Sequence, residues 1–127
     1  MVILLTIVGS AIACQSSSSA TLDESAIRAY ADPATETTLQ GLSENNLAKY
    51  TQNASSEFKA AVTQEILNEA ANQMNSLLGN YLSKQFLRME EQDGYVIVHY
   101  QAQYSEGEAG IRMVFDKDHL VTGQWFE

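Results

Sequence analysis

The sequence predicts an α+β fold, N-terminal helices packed on a four-stranded antiparallel sheet, and three observations carry that prediction. Between Thr21 and Leu78 apolar residues recur every three to four positions, the period of helices with one buried side. From Gln85 onward the period falls to two, as in strands covered on one face. Three turn signals, Asp93-Gly94, Glu106-Gly107 and Asp116-Lys117-Asp118-His119, divide that second half into four sequential strands. Helices must cover one face of such a sheet.

Taken in order, the first element is an address. Met1 to Ala13 is apolar up to Ser10 and ends in small residues, the layout of a secretory leader over 1–13. It is too short to span a bilayer, which needs about 20 apolar residues. Cys14 is the one cysteine of the 127-residue chain, so it has no internal disulfide partner. Ala11-Ile12-Ala13-Cys14 resembles the bacterial lipobox, which implies a lipid on Cys14, an exported protein and attachment to a cell or outer membrane. Ala11 stands where Leu is usual, and no Lys or Arg precedes the apolar run, a departure that an upstream start codon would explain. Residues 14–20 then read as a Ser-rich tether, and 21–127 as one domain, large enough to carry an ordinary core.

Within the domain, Thr21 or Asp23 is expected to cap a first helix carrying Leu22, Ile27 and Tyr30, which Pro33 interrupts or restarts. Ser43-Glu44-Asn45-Asn46 reads as a turn. Leu47, Tyr50, Ala54, Phe58 and Val62 fall on one side of one or two short helices. Thr63 caps a clearer helix whose stripe is Ile66, Leu67, Ala70, Met74, Leu77 and Leu78, and Gly79 ends it. The strands follow at Gln85–Glu91, Tyr95–Tyr104, Gly110–Phe115 and Leu120–Phe126. On the second strand Val96, Val98, Tyr100, Ala102 and Tyr104 form the core set, while Ile97, His99, Gln101 and Gln103 face away.

All 16 acidic and 7 basic residues lie at or beyond Asp23, so the domain holds the whole net charge of −9. Such a surface repels nucleic acid, and no basic cluster offsets it. Chemistry is sparse. His99 and His119 lack partners at metal-ligand spacing; a structural place, facing solvent or shielded by a helix, is expected for His99 and an exposed one for His119. Asp116-Lys117-Asp118 begins like a calcium loop but lacks its glycine and later oxygens, so it is expected to be a hairpin turn. No nucleophile elbow or phosphate loop is present. An isomerase-like site would need an acid beside hydroxyl donors such as Tyr100 and Tyr104, and no Asp or Glu shares their strand face.

Leu39-x-Gly41-Leu42-x-x-Asn45-Asn46, Tyr50, Leu82-x-x-x-Phe86, Tyr95-x-Val-x-Val-x-Tyr, Val114-Phe-Asp-Lys-Asp and Gly123-Gln-Trp125-Phe126 resemble, in order and spacing, the bacterial domain of unknown function 3887 over roughly Thr38 to Glu127. The resemblance implies a cone-shaped fold similar to nuclear transport factor 2, with a curved sheet wrapped on helices. It implies no reaction. Ala54 stands where that family carries a larger side chain, which would enlarge a cavity or be filled by a neighbour.

The functional expectation is a non-catalytic exported lipoprotein domain without cofactor or metal, its membrane contact made through Cys14. A small apolar ligand or peptide would sit in the cone against Tyr100, Tyr104, Met74 and Trp125. The alternative is a cell-envelope interaction domain without a cavity, and pairing of two copies through the sheet is a further expectation. A cavity above about 300 Å³ lined by the tyrosines favours the first; a filled core with an exposed apolar sheet patch favours the second.

Overall fold

The computed structural model describes residues 22–127. The expected leader, Cys14 and the tether lie outside the described residues. Helix α1 spans Glu24–Ser43, with Asp23 as its cap, the carboxylate accepting from the Ala26 amide at 3.2 Å. Contrary to the sequence expectation, Pro33 neither interrupts nor restarts it. The ring removes one helical hydrogen bond and costs about 3 kcal/mol. Burial of Ile27 and Ala31 before it, and of Ala34 and Leu39 after it, offsets that cost, since Leu39 alone stabilises by roughly 1.5–3 kcal/mol.

Two short helices follow, α2 (Leu47–Tyr50) capped by Asn46 and α3 (Ser56–Ala61) capped by Ser55. Helix α4 (Gln64–Leu78) is capped by Thr63 and closed by Gly79 at φ +80°, both as the sequence predicts. Its buried stripe is the predicted one at Leu67, Ala70, Met74 and Leu78, but not at Ile66 and Leu77, and it adds Ala71. Ile66 and Leu77 are 50% and 64% exposed, and the inward residues are Leu67 and Ala71, with Met74 and Leu78 half-buried. Apolar pairs at 66/67, 70/71 and 77/78 fit either phase, so helical spacing alone could not choose. Leu67 and Ala71 join Leu42 and Tyr50 in a satellite cluster against α1, and Leu78 lies over Gly107.

The sheet comprises β1 (Tyr81–Gln92), β2 (Tyr95–Tyr104), β3 (Gly107–Phe115) and β4 (Val121–Phe126), antiparallel in the order β1-β2-β3-β4. The Asp93-Gly94 turn has both residues at positive φ, 55° and 84°, the conformation a two-residue hairpin favours. β1 starts at Tyr81 rather than Gln85 because two bulges break its alternation. Leu82 and Leu87 are the extra residues at those bulges, and both are exposed. β3 likewise starts earlier, at Gly107, which pairs with Tyr104. Leu120 stays in the third turn, after His119 at φ 65°. Asp116 Oδ1 holds that turn, accepting from the amides of Asp118 (2.9 Å) and Leu120 (3.0 Å), so it is a hairpin turn as expected. Ala54 makes a parallel bridge to Val121 at the start of β4, a backbone role that its side chain does not set.

The predicted core set holds: Val98, Tyr100, Ala102 and Tyr104 are buried, and Val96 packs against them. Their main cover is α1, through Ile27, Ala31, Ala34 and Leu39, and of the predicted α4 stripe only Met74 and Leu78 pack against this interior. Ile111, Met113, Phe115 and Val121 complete this interior.

Candidate functional site

Two regions gather the chemistry. The first is the seam between α1 and the edge strand β1. Arg28, Asp32, Glu36 and Gln40 recur every four residues, which stacks them along one side of α1. Asp32 accepts from the Tyr100 hydroxyl at 2.7 Å and from Arg28 Nε at 3.0 Å. Glu36 accepts from the Tyr81 hydroxyl at 2.6 Å, from Lys84 Nζ at 3.0 Å and from Gln40 at 3.0 Å. The Arg28 guanidinium lies 4.5 Å from the Phe86 ring centroid. The acid absent from the tyrosines' strand is thus delivered by the helix. The four-residue spacing on α1 was legible in the sequence; that it faces Tyr81 and Tyr100 was not.

Burial, and then the Asp32 hydrogen bond, push the Tyr100 phenol far above its ordinary range. Tyr81 is driven the same way by burial and by Glu36. Burial alone raises Tyr104 to about 12, and its buried hydroxyl has no partner among the described residues. These phenols stay protonated donors at neutral pH. Tyr100 is 1% exposed, so the seam joins α1 to the sheet through a phenol shielded from solvent and carboxylates that remain partly open to it.

Glu36 is pulled in opposite directions. Partial burial raises its carboxyl, but hydrogen bonds from Tyr81, Lys84 and Gln40 with the Lys84 charge outweigh that and leave it below the ordinary value. A depressed carboxylate contributes stability that is fully present above its unfolded pKa and lost as pH falls through the folded one. Glu36→Gln is therefore expected to destabilise the domain at pH 7 and to flatten the loss of stability below about pH 4.3. Urea midpoints measured from pH 7 to 3 check this; parallel curves for the two proteins would refute the role given to Glu36.

The second region is the sheet face turned away from the helices. Pairing aligns Arg88, His99, Arg112 and Trp125 in one row across all four strands, beside Ile97, Val114 and Gly123. His99 is 5% exposed, so of its two expected surroundings neither holds. Its neighbours are instead a carboxylate of β1 and one just beyond β4: Nε2 lies 3.0 Å from Glu90 and Nδ1 3.3 Å from Glu127. The His99 hydrogen bond is the main cause holding the Glu90 carboxyl below its ordinary range. His119 is exposed as expected, its ring stacked on Tyr30 at 3.9 Å.

Trp125 lies on this outer face, 46% exposed, and not at an end of the helix-covered interior. A side chain at position 123 would lie 2.1 Å from its ring, so Gly123 is what lets the indole rest on β4. The Arg112 guanidinium sits 4.6 Å from the indole centroid. The four residues predicted to share a pocket are therefore divided. Tyr100 and Tyr104 are core, Met74 packs against both apolar clusters, and Trp125 is on the opposite side of the sheet.

Open clefts on the described surface include three whose linings do not contain those four residues. One of about 280 Å³ lies between the Asp93-Gly94 and Asp116–Asp118 turns. The others flank the seam, about 310 Å³ at Glu24, Ser25 and Arg28 and about 230 Å³ at Gln40, Ser43, Glu44, Asn80 and Tyr81. Among the described residues no group of three His, Cys, Asp or Glu side chains is arranged to hold a metal ion, and no helix is long and apolar enough to cross a membrane.

The sequence pattern of a family described as "Protein of unknown function (DUF3887)" matches residues 35–123. No curated protein matches the chain. Among solved structures, the NMR structure of a protein from Ruminococcus gnavus ATCC 29149 is similar, with a TM-score of 0.57 and 14% identity over 82% of this chain and 90% of that one. At that identity the likeness concerns the fold.

Proposed function

The chain belongs to the DUF3887 family of unknown function, and from that premise we propose a non-catalytic accessory domain, held at a membrane by a lipid on Cys14, that meets a cell-envelope protein on the outer face of its sheet. One observation carries this reading over an apolar ligand or peptide in the cone. The helix-covered interior is filled by its own side chains, with Tyr100, Ile111, Met113 and Phe115 at 0–1% exposure, whereas Trp125 stands half exposed on the other side. Exposed aromatic side chains next to arginine are the usual anchors of protein interfaces. In this reading the nuclear-transport-factor-2-like cone that the sequence resemblance implies is closed by its own core. The apolar run, Ala13 and the serines after Cys14 support the leader and the anchor.

Two measurements test the proposal. Metabolic labelling with a palmitate analogue is expected to mark the wild type and not Cys14→Ala; equal labelling or equal membrane retention removes the anchor. A photo-reactive amino acid at position 125 is expected to cross-link a discrete envelope partner, while the same group at exposed position 69 on α4 does not. A cross-link between two copies of the chain would identify the partner as the chain itself. No cross-link at 125, or the same products from both positions, removes the outer face.

A further inference from the structure

We infer that the domain stands on its membrane by one defined end, with the two hairpin turns at Asp93-Gly94 and Asp116–His119 nearest the bilayer and the Ser105-Glu106 turn farthest away. This rests on the lipid on Cys14 proposed above. The geometry starts from α1, which runs antiparallel to β1: Arg28 meets Phe86 near one end, and Ser43 accepts from the Tyr81 amide at the other. Tyr30, less than two turns into α1, already stacks on His119 and meets Phe115 at 5.4 Å. The chain therefore enters the domain at the end that carries both hairpin turns. The opposite end holds Asn80, whose amide donates to Ser105 at 2.9 Å.

Magnitudes decide whether the domain can invert. From Cys14 to Asp23 a fully extended chain spans at most about 32 Å. The twelve residues of β1 and the turns beyond it run about 40 Å from one end to the other. The far end lies about 30 Å from Asp23, the length of the 20-residue α1 that ends there at Ser43. Contact at that end would need a nearly fully stretched tether, whereas nine flexible residues span about 15–18 Å on average, so the near end is favoured.

Charge sets the spacing of the near end. It carries Asp23, Glu24, Glu91, Asp93, Asp116 and Asp118, against Lys117 and the Arg28 that lies 3.9 Å from Glu24. Anionic headgroups repel such a surface over a Debye length of about 8 Å at physiological salt. The domain is therefore held off an anionic bilayer, and the sheet's outer face, which runs from the near end to the far one, stays open to a partner along its length.

The test uses residues 14–127, the chain left once the leader is removed, coupled through Cys14, its one cysteine, to a maleimide-headgroup lipid in vesicles. An azide-bearing amino acid replaces either Asp118 or Glu106, both exposed turn positions, and carries a donor fluorophore. Energy transfer to a headgroup acceptor is expected to be several-fold stronger from position 118 than from 106. Replacing phosphatidylcholine vesicles by ones rich in phosphatidylglycerol should weaken transfer from 118, and high salt or joint Asp93→Asn and Asp116→Asn substitution should restore it. Equal or stronger transfer from 106 overturns the orientation, and indifference to headgroup charge overturns the stand-off. Because the coupling supplies the anchor chemically, failure of Cys14 to take up lipid in cells would sink the anchoring reading through its own labelling experiment, separately from this one.

Discussion

Tyr100→Ala is expected to destabilise the domain by about 3–5 kcal/mol, the range for a large aromatic removed from a packed interior. The ring is 1% exposed, sits edge-on to Phe86 at 6.1 Å and belongs to the cluster that α1 covers. Tyr100→Phe keeps the ring and removes only the hydrogen bond to Asp32. Asp32 is 30% exposed in its side chain and can turn to water, so that loss should be about 1 kcal/mol. Urea unfolding measures both, with a hydrophobic fluorescent probe added to each protein. The filled interior predicts no probe uptake by the native wild type. A small cost for Tyr100→Ala together with strong probe binding would instead mean an open cone, and the ligand-binding reading would replace the accessory one.

Gly41→Ala is expected to destabilise by about 1–3 kcal/mol through overpacking, although the same change at an open helical position would stabilise by about 1 kcal/mol. The two effects have opposite signs, and the close approach of α2 decides between them. A Cβ at position 41 would lie 2.4 Å from the Tyr50 amide nitrogen and 2.7 Å from the Tyr50 Cα, both backbone atoms that cannot swing aside. The turn that brings them together is held by the Asn46 amide donating to the Gly41 carbonyl at 2.8 Å and by the Asn46 cap on Lys49. Asn45 adopts φ 55°, which asparagine tolerates better than most residues. A rise in the urea midpoint of Gly41→Ala would show that the helices are not in contact there. The Leu39-x-Gly41-Leu42-x-x-Asn45-Asn46 motif that suggested the family is, on this account, a packing corner.

Whatever depends on local period and turn chemistry was legible in the sequence. The change from helical to strand spacing, the caps at Thr63 and Gly79, the Asp93-Gly94 hairpin and the inward set from Val98 to Tyr104 are properties of short windows, where side-chain direction follows from backbone geometry. Tertiary structure alone decided the choices between locally equivalent options. Paired apolar residues on α4 allowed two stripes, and the satellite cluster with Leu42 and Tyr50 selected Leu67 and Ala71. Pro33 reads locally as a break, and burial on both sides of it carried α1 through. The bulges at Leu82 and Leu87 shifted the phase of β1, and no window of its own sequence shows an insertion that only the partner strand defines. Trp125 looked like a wall of the pocket because aromatic residues are usually core; the pairing of Arg112 with Trp125 put it outside. Asp32 and Tyr100 are 68 positions apart in sequence, and their 2.7 Å hydrogen bond exists only because the helix that delivers the carboxylate is also the one that covers the sheet.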